Sequence, residues 1–193
     1  MSARFGILAL QGAFSAHAEC LASLGVPTRE VRVPSDLDEV DALLMPGGES
    51  STMSQLLESS GLFDRISARL EDGLAVFGTC AGLILLATSI VDGREDQRSF
   101  GAIDVTVRRN AYGRQVDSFE ADLESDVGTI PGVFIRAPRI ERVGEAVSVL
   151  ATHGGEPVLV RQGNALGATF HPELSGDPTV HKYFVDMTVK GTV

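Results

Sequence analysis

Apolar and polar positions fall into two textures along the chain. "FGILAL" (5–10) is a continuous apolar run, the mark of a strand buried on both faces of a sheet. "AFSAHAECLASLG" follows, with Phe14, Ala18, Leu21 and Leu24 at helical spacing and Gly25 as a C-terminal stop. "TREVRV" predicts a second strand and "VDALLMPGG" a third that ends on a Pro-Gly-Gly break. "SSTMSQLLESSG" predicts a helix with Ser/Thr capping candidates that stops at Gly61. A further helix over 62–70 leads into "GLAVFG", the fourth strand. Alternating strand and helix signals imply βαβ crossovers, hence an α/β fold with a mainly parallel sheet and helices on both faces.

After about residue 93 the pattern shortens. "GAIDVTVRR", "SFEADL", "GVFIRA", "AVSVLAT", "PVLVRQG" and "ALGATF" are strand-like runs between Gly, Asp and Pro turns. They read as meandering or antiparallel strands added to the parallel core. "PTVHKYFVDMTVK" returns to helical spacing through Val180, Phe184 and Met187, which puts His181 on the exposed side. With no repeat and no dividing linker, residues 1–193 read as a single domain.

Composition narrows the function. A chain of 193 residues, 44% hydrophobic and 22% charged, is that of an ordinary globule with one core. A net charge of −10 argues against a nucleic-acid partner. The short basic cluster "RRNAYGR" (108–114) suits a small anionic ligand or a protein partner better. Cys20 and Cys80 form no C-x-x-C and have no ligand-like His spacing, so neither a metal site nor a cofactor is indicated. No apolar stretch reaches membrane-spanning length, and the N-terminal run, interrupted by Gly6 and Gln11, is too short for a signal segment. The expectation is a soluble, cytoplasmic protein with no membrane contact.

Four places could carry chemistry. In "GTCAG" (78–82), Cys80 lies between two glycines at a strand-to-helix joint, the arrangement of a nucleophile elbow. A helix N-terminus there favours thiolate and frees the amide of Ala81 for an oxyanion. The same spacing equally suits a small buried thiol. In "HPEL", His171 follows an apolar strand and Glu173, two residues on in extended backbone, can orient its imidazole. Alone, that segment also reads as a surface turn, as His153 does beside Gly154 and Gly155. In "MPGGESSTM", Gly47 and Gly48 expose backbone N–H groups suited to an anion. Glu49 fits there only if it meets a cation such as a ligand's ammonium; an ordinary turn capped by Ser50 or Ser51 is the alternative. Finally, Gln11 ends the first strand at the edge where open α/β sheets bind ligands, and Arg136 comes directly off "GVFIRAPRI". Arg109, Arg114 and Glu120 are equally a solvated face.

Taken in order, "GTCAG", "HPE" and "PGGES" resemble a class I (triad) glutamine amidotransferase. The longer segments "LALQGAF", "PGGESSTM", "RNAYGRQVDSFEADL", "GVFIRAP" and "FHPEL" resemble the glutaminase subunits of two-component pyridoxal 5′-phosphate synthases. The likeness runs from the first strand to the last helix and is weakest over "GREDQRSFGAID". It implies a flavodoxin-like, three-layer amidotransferase fold and a triad of Cys80, His171 and Glu173. It implies glutamine binding by Gly47, Gly48, Glu49, Arg109, Ile135 and Arg136, an oxyanion site at the amides of Gly48 and Ala81, and Gln11 at a subunit interface. The implied partner is a (β/α)₈-barrel synthase subunit that receives the ammonia, in an assembly of twelve copies of each. A glutaminase serving another synthase, a cysteine hydrolase on a similar sheet and a regulatory subunit without the chemistry are the competing readings.

Overall fold

A computed structural model of the chain describes residues 3–109 and 118–190. The first half alternates strands and helices: β1 (Phe5–Leu8), α1 (Phe14–Ser23), β2 (Thr28–Val31), α2 (Pro34–Leu37), β3 (Ala42–Met45), α3 (Ser50–Ser59), α4 (Leu62–Glu71), β4 (Ala75–Thr79) and α5 (Ala81–Leu86). There follow β5 (Ala87–Val91), β6 (Ile103–Arg108), β7 (Phe119–Leu123), β8 (Ile130–Phe134), β9 (Arg139–Val143), β10 (Ser148–His153), β11 (Glu156–Gln162) and β12 (Ala165–Ala168). A single 3₁₀ turn (Pro172–Leu174) and α6 (Thr179–Lys190) end the chain's described part.

The central sheet runs β10-β11-β12-β4-β3-β1-β2. Strands β2, β1, β3, β4 and β12 are parallel, and β11 and β10 extend the β12 edge antiparallel. That order is the flavodoxin-like one. Alternation along the strands sorts side chains to two faces. Leu43, Met45 and Val76 join one apolar cluster with α3, α4 and α5. Ala42, Leu44, Ala75 and Phe77 join another with α1 and α6. Leu43, Leu44, Met45 and Phe77 have no exposed surface, so each contributes about 1.5–3 kcal/mol of burial free energy. Three layers result, with the helices holding the strand ends rigid.

The structure departs from the sequence reading in several places. β12, within "ALGATF", pairs parallel with β4 through Ala165–Val76 and Ala168–Thr79, so it is a core strand rather than an antiparallel addition. Its hairpin to β11 is antiparallel, and only the long-range insertion beside β4 reveals its role. The apolar helix after Cys80 stops at Leu86 and passes straight into β5, where β-branched Thr88, Ile90 and Val91 favour extended backbone. β5, β6 and β9 form a separate three-stranded sheet, and β7 and β8 a hairpin. His153 is the last residue of β10, packed on the rings of Phe119 and Phe134 at 5.3 and 5.5 Å. His181 is fully buried rather than exposed. Among the described residues no helix is long and apolar enough to cross a membrane.

Candidate active site

The carboxyl ends of β1, β3, β4 and β12 open onto one cleft of about 400 Å³. Gln11, Gly47 with Gly48, Cys80 and His171 line it, each from just beyond one of those strands. Ile135 and Arg136, past β8, and Arg109, past β6, close the other side. The site therefore occupies the position where open α/β sheets gather ligands.

Cys80 sits on the bend between β4 and α5 with φ 49° and ψ −103°. A non-glycine residue held there costs about 1–3 kcal/mol, so the surroundings must impose it. Its N–H donates to the Ala168 carbonyl at 2.9 Å, and its carbonyl accepts from the Ile84 N–H at 3.2 Å. The flanking glycines are a packing requirement. A Cβ on Gly82 would stand 2.1 Å from the Met45 carbonyl oxygen, and one on Gly78 2.5 Å from the Gly82 carbonyl carbon. The backbones of β3, β4 and α5 meet at this elbow, which turns the thiol into the cleft. Cys20 and Cys80 are both free thiols.

His171 reaches Cys80 from the end of β12. Its N–H donates to the Val133 carbonyl at 2.8 Å, which fixes it against β8. The imidazole and the Cys80 side chain meet over Gly47 in the cleft, and His171 Nδ1 lies 2.8 Å from Glu173 Oε1. The pair meets as the sequence suggests, but across a 3₁₀ turn opened by Pro172 rather than along extended backbone. Gly47 makes room for the ring, since a Cβ there would stand 2.4 Å from His171 Cε1. Burial disfavours a charged His171, yet its contacts with Cys80 and Glu173 outweigh it and raise its pKa to about 10. Burial likewise works against the Glu173 carboxylate, but the His171 hydrogen bond, with His17 and His171 nearby, holds it below the usual carboxylate range.

Glu49, not Ser50 or Ser51, caps α3. Its carboxylate accepts from the N–H groups of Ser51 at 3.1 Å and Thr52 at 2.7 Å. Arg109 donates to Glu49 Oε1 at 2.8 Å, and to Ser51 Oγ and Gln97 Oε1 at 2.7 Å each. Partial burial opposes the Glu49 charge, but the Thr52 and Ser51 bonds and Arg109 hold its pKa at about 2. Gln11 Oε1 accepts the Glu49 N–H at 3.1 Å, tying the β1 and β3 loops together. Arg136 is exposed, with φ 44°, and lines the cleft. Ala81 has a buried side chain and heads α5, so only its amide can serve a ligand. Glu120 is exposed on β7, and Arg114 lies in 110–117, outside the described residues.

Three partners were not legible as such. Gln97, from the least family-like segment, braces Arg109. His17 and His181 are buried behind Glu173, and their only signal is an imidazole placed on the apolar face of each helix.

The chain matches the model of the SNO glutamine amidotransferase family over residues 7–190. It belongs to that family. Among SNO glutamine amidotransferase relatives, it is 54% identical to the pyridoxal 5′-phosphate synthase subunit PdxT of Mycobacteroides abscessus, covering 99% of this chain and 100% of that one. The subunit PdxT of Streptomyces avermitilis is 54% identical over 94% of this chain and 92% of its own. A crystal structure of a glutamine amidotransferase superposes with a TM-score of 0.91 at 50% identity, covering 96% of this chain and 98% of that chain. The α/β architecture of this SNO glutamine amidotransferase is thus that of its family.

Proposed function

We propose that the chain is the glutaminase subunit of a two-component pyridoxal 5′-phosphate synthase. It hydrolyses L-glutamine to L-glutamate and ammonia and hands the ammonia to a (β/α)₈-barrel synthase subunit. The observation that carries this reading is the line Cys80–His171–Glu173 at the mouths of β4 and β12. The names of the curated relatives support the pathway.

In this reading Cys80 Sγ attacks the side-chain amide carbon of glutamine. The amides of Gly48 and Ala81 receive the oxyanion, each such donor being worth roughly 10²–10³ in rate. His171, oriented by Glu173, gives its proton to the leaving nitrogen and ammonia departs, leaving a γ-glutamyl thioester. Water then yields a proton to the same imidazole, attacks the thioester and releases glutamate and the thiolate. Glu49 suits the substrate's α-ammonium and Arg136 its α-carboxylate, with Gly47, Arg109 and Ile135 shaping the same pocket. Gln11, already holding the Glu49 amide, is the residue through which the docked synthase adjusts the oxyanion site.

Two apolar clusters on opposite faces of one sheet support residues 1–193 as a single domain. The resemblance extends the proposal to a cytoplasmic assembly of twelve copies of each subunit. A glutamine-mimicking electrophile should label Cys80 and not Cys20, with excess glutamine protecting it. Labelling confined to Cys20, located by mass spectrometry in the presence of the synthase, would overturn the assignment.

A further inference from the structure

Behind the triad, two buried imidazoles continue the polar line into the layer between the sheet and the helices α1 and α6. His17 Nε2 lies 3.6 Å from Glu173 Oε2 and 3.2 Å from Thr79 Oγ1, while His17 Nδ1 lies 2.8 Å from His181 Nε2. Both histidines pack edge-on against Phe77 and have no exposed surface. Glu173 Oε2 and His181 Nδ1 have no hydrogen-bond partner among the described residues.

Those two orphans decide the tautomers. A proton on His17 Nδ1 would be donated to His181 Nε2, forcing the His181 proton onto Nδ1, where it would be a buried, unpartnered N–H. Glu173 Oε2 would then also face a lone pair. With the proton on His17 Nε2, the N–H faces Thr79 and Glu173, and His17 Nδ1 accepts from His181 Nε2–H. The remaining orphan on His181 is a lone pair, the less unfavourable of the two.

We infer that the neutral His17–His181 pair is a positioning device for Glu173: His17 turns an N–H toward Oε2, and His181 fixes which nitrogen of His17 carries that proton. At 3.6 Å the contact is that of a dipole with a charge, and it holds Oε1 toward His171. Burial keeps both imidazoles neutral, pushing His17 down against the pull of Glu173 and His181 down to about 3. Among the described residues, the other titratable groups near this cluster are His171 and Cys20, with Asp177 beyond. Burial, Glu173 and Asp177 push the Cys20 thiol up to about 11, so it stays neutral.

The inference rests on Glu173 serving His171 as proposed above. His17→Gln keeps an N–H near the place of Nε2, whereas His17→Leu removes it. With the synthase present, H17L should lose about 10-fold in kcat, with KM for glutamine little changed. Its carboxylate should protonate more readily, moving the acid limb of the pH profile upward by on the order of one unit, while H17Q keeps the wild-type limb. His181→Phe should move the limb in the same direction. In the full-length chain carrying ¹⁵N-labelled histidine, the ring-nitrogen shifts should report His17 as the neutral Nε2–H tautomer over about pH 5–8. An unshifted limb in H17L, or a His17 proton on Nδ1, overturns the inference. Should H17L fail to fold, H181F and the nitrogen shifts decide in the same way. A wild-type chain inert toward glutamine but carrying the Nε2–H tautomer would instead sink the functional reading.

Discussion

His171 Nδ1 lies 2.8 Å from Glu173 Oε1, with neither side chain more than a tenth exposed. A hydrogen bond between a buried carboxylate and an imidazole fixes the ring's orientation, with Nδ1–H toward Glu173, and leaves its other nitrogen for Cys80. Glu173→Gln keeps the volume but replaces the charge with an amide. Steady-state glutamine hydrolysis with the synthase present should show kcat down by about 10³–10⁴. A loss under tenfold would mean that Glu173 does not orient the base.

The two shifted histidines set opposite flanks of a stability maximum. His171 has its pKa raised from 6.5 to about 10, so its pairing contributes fully below about pH 6.5 and is lost as pH rises through 10. His181 has its pKa lowered from 6.5 to about 3, so stability is complete above about pH 6.5 and falls as pH drops toward 3. Thermal unfolding midpoints should therefore peak near pH 6.5, from which both losses begin. His181→Phe should flatten the acid side by a few degrees and leave the alkaline side unchanged. An equally steep acid fall in the variant would place the sensitive group elsewhere.

Gly82→Ala puts a methyl 2.1 Å from the Met45 carbonyl oxygen, a backbone atom that cannot move aside alone. The variant should be destabilised by about 1–3 kcal/mol in urea titrations and should turn Cys80 off its line to His171. Wild-type stability together with wild-type electrophile labelling would show that the elbow tolerates loosening.

The parts of this site that were legible in the sequence are those where the backbone itself demands a residue type. Gly78, Gly82 and Gly47 sit where no side chain fits, and Pro172 sits where a turn must start, so their motifs survive as short strings. β1, β3 and β4 were legible as strands because each is an apolar run closed by a break. β12 was misjudged because its partner β4 is some ninety residues away, and only pairing distinguishes a core strand from an added one. Glu49 displaced Ser50 and Ser51 as the cap because its carboxylate reaches two amides and Arg109 at once. His17 and His181 escaped because each stands beside apolar residues that account for the helical pattern without them. Tertiary pairing alone made them buried partners.

Arg109 spends its guanidinium on three oxygens, Glu49 Oε1, Ser51 Oγ and Gln97 Oε1. Arg109→Lys keeps the charge and cannot reproduce that fork. Glutamine titrations should show KM up by about 10-fold with a smaller change in kcat, because the pocket wall loosens while the triad stays in place. A large fall in kcat at unchanged KM would assign Arg109 to the reacting atoms instead.

Ammonia release from glutamine by the chain mixed with the synthase subunit proposed as its partner, compared between wild type and Cys80→Ala, bears most directly on the role of the elbow. Wild type should turn over glutamine, and the variant should be inactive, with the same circular dichroism and the same binding to the synthase. Ammonia release by Cys80→Ala at a wild-type rate would contradict Cys80 as the nucleophile.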